Sequence, residues 1–254
     1  AERSRTFDVG VDQNILGEKL VLKAGYYHNV FNRQLESVTG ANLATYFGLN
    51  SPEFNNPDTS PFYYTGLYLN SLAYRAQGAE AELDWQATRA IYVRAGYTYL
   101  LAKVLQSFAS DAVAAKQGTP TENPNLPGIA IGAESPLVGG RPFRRAPDSG
   151  FFAVTYARPK LAMVLKGAFA GRSDDSTYLD GYTPSFDNSL LLPNRDLDFG
   201  YLKLDLGGTY QLGKDISVFT QLENLLNDQH IGPIGYPGLP LTVRAGLKVR
   251  LGGD

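Results

Sequence analysis

The chain has 254 residues, no cysteine and a formal net charge of -2 from 23 basic and 25 acidic side chains. So even a balance gives no global attraction for nucleic acid, and the absence of thiols excludes disulfide frameworks and thiolate metal sites while remaining compatible with an oxidising compartment. The 16 Tyr, 13 Phe and 27 Gly, against one Trp and one Met, suit long two-faced strands better than a helical core, and no apolar run approaches the roughly 18 residues of a transmembrane helix.

Taken from the start, AERSRTFDVGV leads directly into an alternating segment over 4–14, with neither a start methionine nor a targeting signal, so the N-terminus is expected to be a cut inside a longer protein. A short connection at Leu16–Glu18 precedes a second strand, 19–31. A long segment, 32–70, separates it from a third, in which Ala79, Ala81, Leu83 and Trp85 alternate with Gly78, Glu80, Glu82 and Asp84. Ala87–Arg89 then turns into 90–102, followed by a long segment 103–148 and the strand 149–157. Arg158–Pro159 leads to 160–172, a long segment 173–198, and 199–212, where Leu202, Leu204, Leu206, Tyr210 and Leu212 oppose Lys203, Asp205, Gly207, Thr209 and Gln211. Gly213–Lys214 turns into 215–224, and a segment 225–239 precedes the last strand. There Leu241, Val243, Ala245, Leu247, Val249 and Leu251 face away from Thr242, Arg244, Gly246, Lys248 and Arg250.

The pattern predicts about nine antiparallel strands, several about 10 to 13 residues long, where soluble strands favour 5 to 6 and a tilted bilayer-crossing strand needs 9 to 11. The connections alternate between very short and long, Pro-, Asn-, Asp-, Ser- and Gly-rich ones, as do the periplasmic turns and extracellular loops of outer-membrane barrels. An all-β, antiparallel transmembrane barrel wall is therefore expected, apolar toward lipid and polar toward a hydrated lumen. Tyr26, Tyr27, Trp85, Tyr97, Tyr99 and Tyr210 lie toward strand ends, where amphipathic rings favour the membrane interface. An odd count of about nine strands does not close like the even-numbered single-chain barrels, so this stretch is not expected to transport by itself.

Glu223–Asp228 (ENLLND), with Gly235, Tyr236, Pro237, Gly238 and the final alternating strand, resembles the C-terminal signature of the TonB-dependent outer-membrane receptors. AQGAEAELDW (76–85) followed by YVRAGYTYL (92–100) is similar to a hairpin of those barrels, and GRPFRRAPDSGFFAVTY, from Gly140, resembles their loop-to-strand entry. The resemblance implies a barrel of about 22 strands around an N-terminal plug, of which residues 1–254 would be the C-terminal portion, roughly strands 14 to 22, with the plug and the earlier strands absent. It also implies location in the cell outer membrane among its lipids, energising through the TonB complex by way of the missing N-terminal region, and import of a scarce small nutrient such as a ferric siderophore or cobalamin.

No catalytic residue and no cofactor are expected, since no GxxxxGK[ST], GxSxG or HExxH occurs. Glu80, Glu82 and Asp84 share a face, as paired carboxylates of a glycosidase could, but a lumen wall explains them better. Arg141, Arg144 and Arg145 could bind an anionic ligand or be solvated residues at a strand mouth. Tyr63, Tyr64 and Tyr68, with Tyr46, Phe47, Phe54 and Phe62, could grip a bulky ligand at an outer vestibule or pack on one another. Asp174, Asp175 and Asp180 could offer oxygen ligands to calcium or form an ordinary acidic loop, and His28 and His230, far apart, do not suggest zinc. A passive small barrel or adhesin, an outer-membrane enzyme and a soluble all-β domain remain the alternatives.

Overall fold

A computed structural model describes residues 1–39, 46–48, 66–108, 121–123, 126–131, 139–183, 186–198, 200–229 and 238–251, with the backbone path alone for 39, 66, 121–131 and 174–198. Nine strands form one antiparallel sheet: β1 (Arg3–Ile15), β2 (Leu20–Thr39), β3 (Gly66–Trp85), β4 (Ile91–Gln106), β7 (Asp148–Arg158), β8 (Leu161–Ala170), β11 (Tyr201–Gln211), β12 (Ile216–Glu223) and β13 (Thr242–Val249). Two further pairs, β5 (Thr121–Asn123) with β6 (Leu126–Ile131) and β9 (Ser173–Thr183) with β10 (Phe186–Asp198), form separate two-stranded sheets. All nine predicted strands are present, each hydrogen-bonded to its neighbour in chain order, and the sheet is open, with β1 and β13 at its edges.

The connections are more ordered than the composition suggests. β2 runs on to Thr39 and β3 starts at Gly66, so both continue well into the stretch expected to be loop, and 173–198 is a hairpin. Period-2 alternation does continue there, as Leu67, Leu69, Ser71 and Ala73 against Tyr68, Asn70, Leu72 and Tyr74. Pro193 sits opposite Ser176 within β10, a position that a two-stranded hairpin tolerates because each strand keeps one free edge.

Residues directly opposite across an antiparallel pair share a face. Following the register across the sheet, Asp12 meets Lys23, Lys23 meets Glu82, Asp84 meets Arg94, and Lys166 meets Asp205. Lys203, Arg244 and Lys248 fall on the same side through their partners Ala168, Gln221 and Ser217. The other face carries Val9, Tyr26 and Ala79, then Leu83, Ala95 and Phe152, then Leu165, Leu206, Leu222 and Val243. Tyr27, expected at the interface with Tyr26, is opposite Gly78 on the charged face, because consecutive strand residues cannot share a side.

Among the described residues no second layer covers the apolar face. Among the described residues the only buried hydrophobic ones are Val38, Ala73, Ala90 and Val104, while Val9, Val243 and Leu247 are 57%, 61% and 67% exposed. A water-soluble sheet must bury its apolar face against another layer; this one has the form of a wall whose outer face meets lipid. Several glycines let aromatic rings lie flat along it. A Cβ on Gly96 would run into Phe151, on Gly167 into Phe152 and on Gly246 into Phe219, each ring belonging to the directly opposite residue.

The two faces separate two adjacent positions. In the bilayer-inserted full-length protein, Leu165→Arg is expected to lower unfolding stability by about 2–4 kcal/mol, as a cation on the lipid face near mid-bilayer does. Val164→Arg, one residue away on the charged face, is expected to change it by less than about 1 kcal/mol. Similar losses in the two variants, followed by urea unfolding, would invalidate the face assignment.

Candidate functional site

The charged face, the lumen side of a barrel wall, is organised by cross-strand ion pairs. Lys23 Nζ lies 3.8 Å from Glu82, Arg94 Nη2 lies 3.6 Å from Glu82, and Arg94 Nε lies 3.5 Å from Asp84, so cations and carboxylates alternate across β2, β3 and β4. The Tyr92 hydroxyl donates to Asp84 at 2.8 Å, and the Arg94 guanidinium sits 5.6 Å from the Phe151 ring centroid. Glu82 and Asp84 are thus parts of an ion-pair ladder, the arrangement of a structural wall rather than of two carboxyls flanking a substrate bond. Toward the short turns, the same face holds a concavity of about 770 Å³ bordered by Lys166, Asp205, Gln221, Lys248 and Arg250. Cations outnumber acids there, while β1 and β3 contribute Asp8, Asp12, Glu80, Glu82 and Asp84 at the other end of the wall.

At the loop side, Gly139 N–H donates to Val104 O and Val104 N–H donates to Gly140 O, both at 2.9 Å, and Leu100 N–H donates to Pro147 O at 2.7 Å. The segment carrying Arg141, Arg144 and Arg145 therefore runs back along the end of β4, at the rim. Arg144 has a φ of 59°, and both Arg144 and Arg145 are exposed. Tyr68, opposite Ser37 in the extended β2–β3 pair, is 79% exposed at the same end. Three guanidinium groups on the entry to β7 and a phenol on β3 thus lie on the loop side, and such groups are able to bind an anionic, partly aromatic ligand by charge-assisted hydrogen bonds and ring contact. Tyr63 and Tyr64, with Phe54, Phe62 and His230, lie outside the described residues. Tyr46 packs edge-on against Phe47 and Phe108, centroids 5.2 Å apart in both pairs. Asp174, Asp175 and Asp180 fall in β9, and their side chains lie outside the described residues. Among the described residues no group of three His, Cys, Asp or Glu is placed to hold a metal, and His28 instead pairs through Nδ1 with Gln77 Oε1 at 3.1 Å.

Glu36 is a feature the sequence reading passes over. Its buried carboxylate accepts from the Ser71 hydroxyl, from the Ser107 hydroxyl at 2.6 Å and from Phe108 N–H at 2.9 Å. It anchors the start of the β4–β7 connection against β2 and β3. The alternation over 66–74 is the signal that extends β3 far enough to bring Ser71 there.

The ENLLND segment ties β11, β12 and the approach to β13 together. Asn224, 5% exposed with a φ of 56°, donates through its N–H to Asp205 Oδ1 at 2.8 Å. Its Nδ2 donates to Asp228 O and Leu239 O at 3.0 and 2.7 Å, and its Oδ1 accepts from Asp228 N–H at 3.0 Å. Asp228 accepts from Leu202 N–H at 2.9 Å, and Asn227 accepts from Leu241 N–H at 3.0 Å. Asparagine tolerates the left-handed backbone better than most side chains and carries both a donor and an acceptor, which is why it occupies Asn224 and Asn227.

A single-layer antiparallel sheet that is apolar on one face and charged on the other, turning tightly at one end and extending beyond the wall at the other, is the wall of a transmembrane β-barrel. The model of the TonB dependent receptor-like, beta-barrel family matches residues 1–225, and the chain belongs to that family. No curated protein matches it. Among solved structures it is similar to the ferripyoverdine receptor of the outer membrane of Pseudomonas aeruginosa, with 16% identity and a TM-score of 0.59 over 98% of this chain and 27% of that one. The ferric-catecholate import receptor Fiu of E. coli K12 aligns with 15% identity and a TM-score of 0.54, over 98% and 27%. The FrpB iron transporter of Neisseria meningitidis aligns with 15% identity and a TM-score of 0.55, over 98% and 31%. The chain therefore spans less than a third of these relatives, and at such identities the likeness shows the fold. The family is one of receptors and not an enzyme family.

Replacing Asn224 by Ala removes partners from half-buried backbone groups of Asp228 and Leu239. The expected loss is about 1–3 kcal/mol in unfolding of the full-length protein. Arg94→Ala, in a ladder whose side chains are 22% to 49% exposed, is expected to cost less than about 1 kcal/mol. The reverse order of effects in denaturant unfolding would show that the ladder, not the segment at Asn224, holds the wall.

Proposed function

We propose that residues 1–254 are the C-terminal portion of the barrel of an outer-membrane TonB-dependent receptor that imports a scarce nutrient of the ferric-siderophore type. The observation that carries this reading is the family match over 1–225 on a sheet with one lipid-compatible face and one charged face. The ligand class is supported by the similar solved structures, a ferripyoverdine receptor, a ferric-catecholate import receptor and an iron transporter. In this reading the plug, the TonB-contacting segment and the earlier strands belong to regions outside these residues, and TonB is the energising partner. The loop side, with Arg141, Arg144, Arg145 and Tyr68, is where ligand is first held, together with Tyr63 and Tyr64, which are close to Tyr68 in sequence, and cationic side chains suit an anionic iron chelate. No chemistry on the ligand and no resident cofactor is required.

The test is iron uptake by cells carrying the full-length receptor. Deleting the receptor is expected to abolish TonB-dependent uptake of one ferric siderophore. Changing Arg141, Arg144 and Arg145 together to Ala is expected to weaken binding of that siderophore about tenfold or more without lowering the amount of receptor in the outer-membrane fraction. Uptake that persists without TonB would point to a passive barrel, and unchanged affinity in the triple variant would remove the arginines from the site.

A further inference from the structure

Both strands flanking β3 carry a bulge at the same level, Ala73–Tyr74. On β2, Asn32 and Arg33 intervene between the pairs Phe31 with Tyr74 and Gln34 with Leu72; on β4, Leu105 intervenes between Val104 with Tyr74 and Gln106 with Ala73. A bulge bends its strand and re-aims what lies beyond it, here Glu36 on β2 and Ser107 just past the end of β4. The two strands stand two spacings apart, about 10 Å, with β3 between them. The Ser107 hydroxyl nevertheless lies 2.6 Å from a Glu36 oxygen, so the chain leaving β4 folds over β3.

A buried carboxylate is costly unless its oxygens are occupied, and Glu36 takes three donors: the Ser71 and Ser107 hydroxyls and Phe108 N–H. An apolar side chain could pack the strands but would leave Phe108 N–H without that acceptor, so what the carboxylate adds is the orientation of Phe108. The Phe108 ring meets Tyr46 edge-on and Tyr46 meets Phe47 edge-on, and such pairs depend on angle as well as distance. Tyr46 and Phe47 are 37% and 53% exposed, so the cluster presents aromatic surface to solvent rather than closing a core. On the same stretch of chain, Val104 exchanges hydrogen bonds with Gly139 and Gly140, where the segment carrying Arg141, Arg144 and Arg145 begins. Residues 104–108 thus hold rings from the β2–β3 connection and cations from the β4–β7 connection.

We propose that Glu36 is a positioning residue for ligand capture: through Ser107 and Phe108 it mounts Tyr46 and Phe47 on the stretch that carries the arginine segment, so that rings and cations from two connections meet an anionic, ring-bearing iron chelate as one unit. This rests on the receptor reading above. Glu36 itself does not touch the chelate, being buried and of the wrong charge for an anion. A glutamine at this place keeps an oxygen for Phe108 N–H, and the serine hydroxyls can turn to accept from its amide nitrogen. An alanine keeps none of these bonds.

The experiment uses full-length receptor in outer-membrane fractions, with radioiron complexes of a pyoverdine, a catecholate and a hydroxamate siderophore as probes. For whichever complex the wild type binds, Glu36→Ala is expected to weaken affinity at least about tenfold, and Glu36→Gln to stay within about threefold of wild type. Phe108→Ala is expected to reproduce the loss, and the double variant Glu36→Ala, Phe108→Ala to lose no more than the weaker-binding single variant, because the two residues act in series. Hydrogen exchange is expected to speed up about tenfold or more in Glu36→Ala over 104–108 and 46–48 and to stay unchanged in β7, β8 and β11. Wild-type affinity in Glu36→Ala, losses that add in the double variant, or exchange that rises over the whole wall would each overturn the proposal. Should Glu36→Ala fail to reach the membrane, Phe108→Ala decides alone, and normal binding by that variant overturns it. A wild-type receptor that binds none of the three complexes marks a failure of the receptor reading instead, whereas equal binding by wild type and Glu36→Ala defeats the positioning role only.

Discussion

Inside a bilayer no water satisfies a backbone N–H or C=O, so every such group of a membrane-crossing segment must be paired within protein. The rest of the structure follows from that demand. It requires long strands in unbroken antiparallel register, and side chains that alternate strictly between faces turn the register into a sorting device. A slip of one residue anywhere from β2 to β11 would carry Lys23, Glu82, Arg94 or Lys166 into lipid. The charges therefore fix the pairing as firmly as the apolar residues do, and their mutual contacts, Lys23 to Glu82 and Arg94 to Asp84, lie where the pairing places opposite signs side by side.

The same demand applies at β1 and β13, each of which offers one unpaired edge. A wall open on two sides crosses hydrocarbon only when both edges meet further strands, which agrees with the chain spanning less than a third of its solved relatives. Near one edge, Asn224, Asn227 and Asp228 gather backbone groups from β11, β12 and the approach to β13. Side chains thereby do at the strand ends what strand pairing does within the wall. At the other end of the wall, Glu36 performs a similar task with two serine hydroxyls and a backbone N–H.

Much of this architecture was legible in the residues. Alternation located all nine strands of the sheet, because a face in contact with lipid tolerates few exceptions. The ends of β2 and β3 and the pair β9–β10 are harder to see in the sequence, because each lies in a long segment, 32–70 or 173–198, rich in Pro, Asn, Asp, Ser and Gly. The candidate site was less legible. Arg141, Arg144 and Arg145 were visible as a cluster, but their return along β4 depends on hydrogen bonds between Val104 and the Gly139–Gly140 backbone. Tyr27 was grouped with the interface aromatics by composition, and the register moved it to the lumen opposite Gly78.

By itself, then, the sequence determined that the protein is an antiparallel membrane wall, which residues face which side, and to which family its motifs are similar. Those properties are local, set by period-2 alternation and by short segments such as ENLLND. The tertiary structure decided which strands stand beside one another at which offset, and so which distant residues meet: Lys23 with Glu82, Glu36 with Ser107, Arg75 with Lys103. The physical reason is that alternation fixes the face of a residue, whereas its neighbours depend on register and strand stagger, which are set by hydrogen bonds between segments far apart in the chain.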